Sequence, residues 1–256
     1  MTSLDSSERI RYQRHLRIPE LGEAGQLKLK EAAVVVVGVG GLGSAIALYL
    51  SAAGVGRIGL IDSDKLELSN LQRQILYNTD AIGQVKVHKA QARLRNLNPT
   101  IQINAYPERL TEANIDTILQ PYTIILDGTD NFDTRFLLND FCVRAGKPYI
   151  YGAINQLQGQ ASVFDARKGP CFRCLYPEMP SEEVVALNRG VGVVGAVPGI
   201  IGSIEALECI KIITGIGQPL VGRMLLMDGN LMEFRVVEIH KRENCKQCVA
   251  VDASRS

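Results

Sequence analysis

Net charge is nearly absent from this chain: 28 Lys and Arg stand against 27 Asp and Glu, a formal +1 at pH 7. That balance offers no argument for a nucleic-acid or membrane surface. Histidine is scarce. His15, His88 and His240 have neither metal-ligand nor triad spacing, and each reads as structural. No run spans a bilayer: the longest apolar stretch, Val191 to Ile204, contains glycines and a proline and stops at Glu205. That is short of the roughly 20 residues a membrane helix requires. No leader pattern opens the chain, and internal repeats and low-complexity segments are missing. These absences predict a soluble, cytoplasmic protein. With 46% apolar residues in 256, a sizeable core can form, enough for one large α/β domain or two small ones.

What is present is organised around Val34-Val-Val-Val-Gly38-Val-Gly40-Gly41-Leu42-Gly43-Ser44. A β-branched run breaks into glycines and then into a helical pattern, the order strand, phosphate loop, helix. Glycines let the backbone turn tightly and approach a ligand, and the helix N-terminus behind them favours negative charge. Gly38, Gly40 and Gly43 fit the spacing G-x-G-x-x-G. Asp62 closes the next strand, Arg57 to Asp62, where an acid can bind ribose hydroxyls. The motif leaves NAD, FAD and ATP open; its bland alternative is a glycine-rich turn with no ligand.

The polar stretch after Asp62 includes Asp64, Ser69, Asn70, Arg73 and Gln74, and it follows a strand's carboxyl end, where ligands of open α/β sheets bind. Asn70 and Arg73 lie three apart, so one helical turn puts them on one side. An arginine there can fork onto phosphate oxygens. Lys86 opens the next helix. Thr123 to Asp127 is a second buried strand, followed by Asp130 and Asn131. A carboxylate beside phosphates can hold Mg²⁺, so Asp130 is a candidate ligand; its structural alternative is an N-cap for the helix from Asn131 to Ala145.

The chain begins with a helix from Ser7 to His15, capped by Ser6 or Ser7, and rich in Arg9, Arg11 and Arg14. This basic face is either solvated or an arm reaching phosphates. After Gly152 the βαβα rhythm gives way to strands that follow one another, which predicts an antiparallel extension of the same sheet. Pro177 to Gly190 reads as a mobile loop and Val197 to Ile213 as a helix. Cys171-Phe-Arg-Cys174 and Cys245-Lys-Gln-Cys248 are two C-x-x-C knuckles. In a cytosolic chain they predict a closed, structural Cys₄ zinc site rather than a disulfide or redox pair. Cys142 and Cys209 sit in apolar helical patterns and read as core residues.

Taken together, the Gly-x-Gly-Gly-Leu-Gly loop, Asp62, Ser69-Asn-Leu-x-Arg73-Gln, Lys86, Thr129-Asp130-Asn131 and the paired knuckles resemble the MoeB/ThiF/HesA family, bacterial relatives of ubiquitin-activating E1 enzymes. The resemblance runs from about Tyr12 to Cys248. It implies a Rossmann-like doubly wound sheet, parallel in its N-terminal half and extended by antiparallel C-terminal strands. The expected layout is one adenylation unit: a helical arm over 1–31, a nucleotide-binding half over 32–153 and an antiparallel, zinc-binding half over 154–256.

The resemblance also implies an activity. The family adenylates the C-terminal glycine carboxylate of a small ubiquitin-like sulfur-carrier protein with ATP and Mg²⁺, releases pyrophosphate, and works as a homodimer. Gly38, Gly40, Gly41 and Gly43 would hold the nucleotide and Asp62 its ribose. Asp64, Ser69, Asn70, Gln74 and Asn131 would complete that site, with Arg73 and Lys86 on the phosphates and Asp130 on Mg²⁺. Arg14 would reach the partner subunit's active site. One departure stands out: many members carry a cysteine in the loop where this chain reads Leu187-Asn-Arg-Gly190, with Asn188 near the expected place. That predicts adenylation without an enzyme thiol intermediate and an external sulfur donor. Three rival readings are an ATP-dependent enzyme acting on a modified tRNA base, an NAD-dependent oxidoreductase, and a non-catalytic zinc scaffold. The oxidoreductase leaves Arg73, Lys86 and Asp130 without roles.

Overall fold

The computed structural model describes residues 3–183, 185 and 191–248. Four β-branched residues in a row give β1 (Ala33–Val37), and all five of its residues are buried. Such a run belongs at the centre of a sheet covered on both faces. Around it lie β2 (Arg57–Ile61), β3 (Gln102–Tyr106), β4 (Ile124–Asp127), β5 (Tyr149–Asn155), β6 (Gln158–Phe164), β7 (Arg223–Asp228) and β8 (Glu233–Glu238). They form one eight-stranded sheet in the order β3-β2-β1-β4-β5-β6-β7-β8. β3 to β5 pair in parallel. β5 to β8 pair antiparallel, as the loss of the βαβ rhythm after Gly152 predicts.

Helices are α1 (Ser6–Arg11), α2 (Gln13–Leu16), α3 (Gly22–Glu31), α4 (Gly41–Ala53), α5 (Lys86–Leu97), α6 (Ile115–Leu119), α7 (Phe132–Ala145), α8 (Phe172–Leu175) and α9 (Ala196–Thr214). Alternate residues of β1 feed two cores. Val34 and Val36 pack on one face with α4, α5 and α9 side chains such as Ile46, Val87 and Ile201. Val35 and Val37 pack on the other with Leu119, Phe136, Tyr149 and Phe172. Because β1 lies between β2 and β4, the chain leaves it in both directions, and the sheet's topological switch point opens a crevice at the carboxyl ends of these strands.

Two sequence expectations need correcting. The first helix is two, broken at Tyr12, and its cap is Asp5 rather than Ser6 or Ser7. The Asp5 carboxylate accepts the Glu8 amide at 2.8 Å while Glu8 accepts the Asp5 amide at 2.9 Å, a reciprocal box that a serine hydroxyl one residue later cannot close. At α7 the cap is Asn131, whose Oδ1 accepts the Thr134 amide at 2.9 Å; Asp130 is left outside the helix. The stretch 187–190, where Asn188 replaces the family's loop cysteine, lies outside the described residues.

Candidate functional site

The glycine loop joins β1 to α4, and two of its glycines are irreplaceable on geometry. Gly38 has φ +82°, and a Cβ there would lie 2.7 Å from the Gly128 carbonyl oxygen; a Cβ on Gly43 would lie 2.0 Å from the Gly38 carbonyl oxygen. Strand and helix therefore meet closely only because side chains are missing. Asp62 ties down the same loop: its carboxylate accepts the Val39 amide and the Asp64 amide, each at 2.9 Å. Burial raises its pKa, partly offset by Lys86 and those two amides.

A cleft of about 1690 Å³ opens over the carboxyl ends of β1, β2 and β4. It gathers Gly38, Gly40, Gly41, Asp62, Asp64, Arg73, Gln74, Lys86, Asp130 and Asn131. Residues drawn from stretches far apart in the chain thus share one concave surface. Gly43 packs beneath the loop instead of facing the cleft. Ser69 and Asn70 also lie off the cleft lining and build the turn behind it. Asn70 Oδ1 accepts the Glu67 amide at 3.1 Å, and the Ser69 carbonyl accepts Arg73 Nη1 at 3.1 Å, so they present Arg73 rather than line the cleft themselves. Arg14 is exposed on α2 and does not line this chain's cleft.

The charges are arranged for anions. Lys86 is buried at the start of α5, and among the described residues Nζ pairs with Asp64 Oδ2 alone, at 2.8 Å, a carboxylate that is itself largely exposed. A buried ammonium needs a counter-charge, and Asp64 supplies it at the cleft edge. Asp130 is exposed on the cleft and makes no hydrogen bond or ion pair among the described residues, so its oxygens are unspent. Hard oxygen donors of this kind suit Mg²⁺.

Sequence reasoning missed the groups under the cleft floor. Asp127, fully buried, accepts from the Thr129 amide and hydroxyl at 2.9 and 2.6 Å and from Tyr149 at 2.6 Å. Arg135 Nε lies 3.3 Å from Asp127 Oδ2. Burial works against the Arg135 charge, but Tyr151 and Asp127 outweigh it and the pKa is raised. Glu205, in the middle of α9, is fully buried with neither carboxylate oxygen hydrogen-bonded. Burial and then Asp127 push its pKa well up, against a smaller pull from Arg135, which favours the neutral carboxyl. The available signals were an arginine one turn beyond the Asn131 cap and an acid interrupting an apolar helix.

The four knuckle cysteines come together as expected. All are buried, with their sulfurs within 4.8 Å of one another. Sγ separations of 3.9, 3.7 and 3.5 Å match the edges of a tetrahedron with about 2.3 Å metal–sulfur bonds, which are about 3.8 Å long. They are far beyond disulfide length. The cluster fits zinc and offers no open position. Cys142 and Cys209 are buried with thiol pKa values raised by burial, and none of the six cysteines is exposed. His15 bonds Gln26 at 2.9 Å, and no histidine lines the cleft. No described helix is long and apolar enough to cross a membrane.

Comparison with known proteins finds both curated relatives and solved structures of the same fold. The "Sulfur carrier protein adenylyltransferase" of Thermus thermophilus is 45% identical over 243 residues, covering 93% of this chain and 90% of that protein. The "Adenylyltransferase and sulfurtransferase MOCS3" of Culex quinquefasciatus is 46% identical over 249 residues, 97% of this chain but only 57% of that longer protein. Among solved structures, Escherichia coli MccB with MccA-N7isoASN superposes with a TM-score of 0.85 at 23% identity, over 94% of this chain and 74% of that one. MccB with ATP gives 0.82 at 24% identity, over 95% and 75%. At such identities the likeness establishes the fold. The model of the ThiF family matches residues 12–248, and the chain belongs to that family.

Proposed function

We propose that the protein uses ATP and Mg²⁺ to adenylate the C-terminal glycine carboxylate of a small ubiquitin-like sulfur-carrier protein, releasing pyrophosphate. The observation that carries this reading is the convergence of the glycine loop, Arg73, Lys86 and the unspent Asp130 carboxylate on one cleft. An oxidoreductase would leave the last three idle. The acceptor carboxylate is already a nucleophile, so the absence of a histidine or exposed thiol from the cleft is no obstacle. The difficulty is bringing two anions together at the α-phosphate, which positive groups and fixed geometry ease. Lys86 would exchange its Asp64 partner for phosphate oxygens, Arg73 would fork onto them, and Asp62 would keep the loop rigid while its remaining lone pairs meet the ribose. Asp130 would hold the Mg²⁺, which neutralises phosphate charge. The chain would act as one adenylation unit, as a homodimer in which Arg14 serves the neighbouring cleft.

Sulfur would come from an external donor attacking the carrier adenylate directly, because every cysteine is buried and four are gathered in a closed cluster. Carrier-dependent ATP–pyrophosphate exchange tests the activity. Asp130→Ala should lower it roughly 100- to 1000-fold, the range for a lost transition-state charge contact; normal exchange in that variant would remove Asp130 from the mechanism. Non-reducing mass spectrometry of the same mixture should show carrier adenylate. An enzyme–carrier adduct released by dithiothreitol would overturn the direct route.

A further inference from the structure

Arg135 follows the Asn131 cap by one helical turn, and its side chain runs inward beneath the Thr129–Asn131 loop, only 8% exposed. It is held on several sides. Nη2 donates to the Thr129 and Gly152 carbonyls at 2.9 and 3.3 Å, and Nε faces Asp127 at 3.3 Å. The guanidinium carbon lies 5.2 Å from the Tyr151 ring centre and 5.7 Å from that of Phe132, both cation–π distances. A side chain so constrained has little rotamer freedom left to lose on binding a ligand. Nε is buried without a hydrogen bond, its only close partner being the Asp127 carboxylate, and Nη1 makes no hydrogen bond among the described residues; Arg135 belongs to the cleft lining. The two N–H donors of Nη1 are therefore left unspent on a side chain fixed at the cleft lining.

The location separates this group from the phosphate ligands. Lys86 and the glycine loop stand on the β1–β2 side of Asp130, whereas Arg135 lies on the β4–β5 side, beside Tyr151 and Gln160. Gln160 Nε2 donates to the Tyr151 hydroxyl at 2.7 Å, so neutral hydrogen-bonding groups suited to peptide amides stand beside Tyr151, with Asp133, Glu182, Asp228 and Glu233 elsewhere in the lining. The counter-charge of Asp127 is already shared with the Thr129 amide and hydroxyl and with Tyr149. Burial favours the neutral form of Glu205, and Asp130 acts on the Arg135 charge from the cleft side. A guanidinium edge matches a planar carboxylate better than an ammonium does.

We propose that Arg135 is the acceptor-carboxylate subsite, holding the terminal carboxylate of an extended peptide beside Asp130, where it approaches the nucleotide from the β4–β5 side. The inference rests on the adenylation reading for its purpose but not for its test. A short peptide ending in Gly-Gly is titrated by calorimetry, as free acid and as C-terminal amide, with a non-hydrolysable ATP analogue present. The wild type should prefer the acid by roughly 10- to 100-fold, the effect of a charge-assisted hydrogen bond. Arg135→Gln should lose that preference while its affinity for the ATP analogue is kept. Should Arg135→Gln not fold, Arg135→Lys carries the test: its acid preference should shrink, because one ammonium cannot span both oxygens. Acid and amide bound alike by the wild type, or an undiminished preference in the variants, would overturn the subsite. Acid preference that depends on Arg135, with no pyrophosphate exchange for any carrier, would leave the subsite standing and remove the adenylation reading.

Discussion

Glu205 shows how a single side chain can be tolerated against its nature. Its two oxygens are buried without partners, and a Cβ on Gly152 would lie 2.1 Å from Oε1, so β5 leaves room for the carboxyl only by carrying glycine there. Ionised, such a group would be an unpaired buried charge; protonated, it is a modest burden. Its folded pKa is raised well above the unfolded value of 4.5. The stability it permits is therefore fully present below about pH 4.5 and is lost as pH rises toward the folded pKa. Glu205→Gln removes that dependence. Relative to the wild type, the variant's unfolding free energy should climb between pH 5 and pH 8, as urea titrations would reveal. A constant difference across that range would mean that Glu205 is ionised in the folded protein.

Among the elements, α8 and the segment after β8 behave as a clip. α8 is four residues long and docks through the buried Phe172, whereas β8 is exposed along its whole length. What joins them is the cysteine cluster, bridging positions 74 residues apart. Closing a loop of that length, with metal binding that exists only in the folded state, is a source of stability. Cys245→Ser should lower Tm by several degrees, given about 2–4 °C per kcal/mol in a chain of this size. Exchange activity measured well below Tm should change far less, because a closed site has no catalytic position. An unchanged Tm, or freshly purified reduced protein without zinc by elemental analysis, would show that the knuckles are packed thiols and nothing more.

At the scale of the whole molecule, the cleft is short of one proposed residue. Arg14 is exposed on α2 and outside the cleft lining of its own chain. If it completes the neighbour's site, Arg14→Ala and Asp130→Ala chains mixed together should regain activity. A hybrid dimer holds one site with both residues intact, so recovery toward about a quarter of the wild-type rate is expected when hybrids are half the dimers and each dimer has two sites. A mixture no more active than its parents, with subunit exchange confirmed by mass, would count against shared sites.

The sequence by itself determined the parallel half of the sheet, the phosphate loop, the cysteine knuckles and a set of polar residues that share the cleft. Each of these is local or strictly spaced: β-branched runs make buried strands, Gly38 to Gly43 require a close turn, and C-x-x-C sets one half of a tetrahedron. It also placed Ser69 and Asn70 near the nucleotide, although their bonds serve the turn that presents Arg73. Only the tertiary structure decided what lies beneath the cleft. Asp127, Arg135, Tyr151 and Glu205 come from β4, α7, β5 and α9, and none of them forms a motif with another. Their charge states and roles follow from mutual distance and exclusion of water, which depend on how the sheet brings β4 beside β5 and how α9 crosses them. Those are non-local consequences of packing, invisible in a one-dimensional spacing.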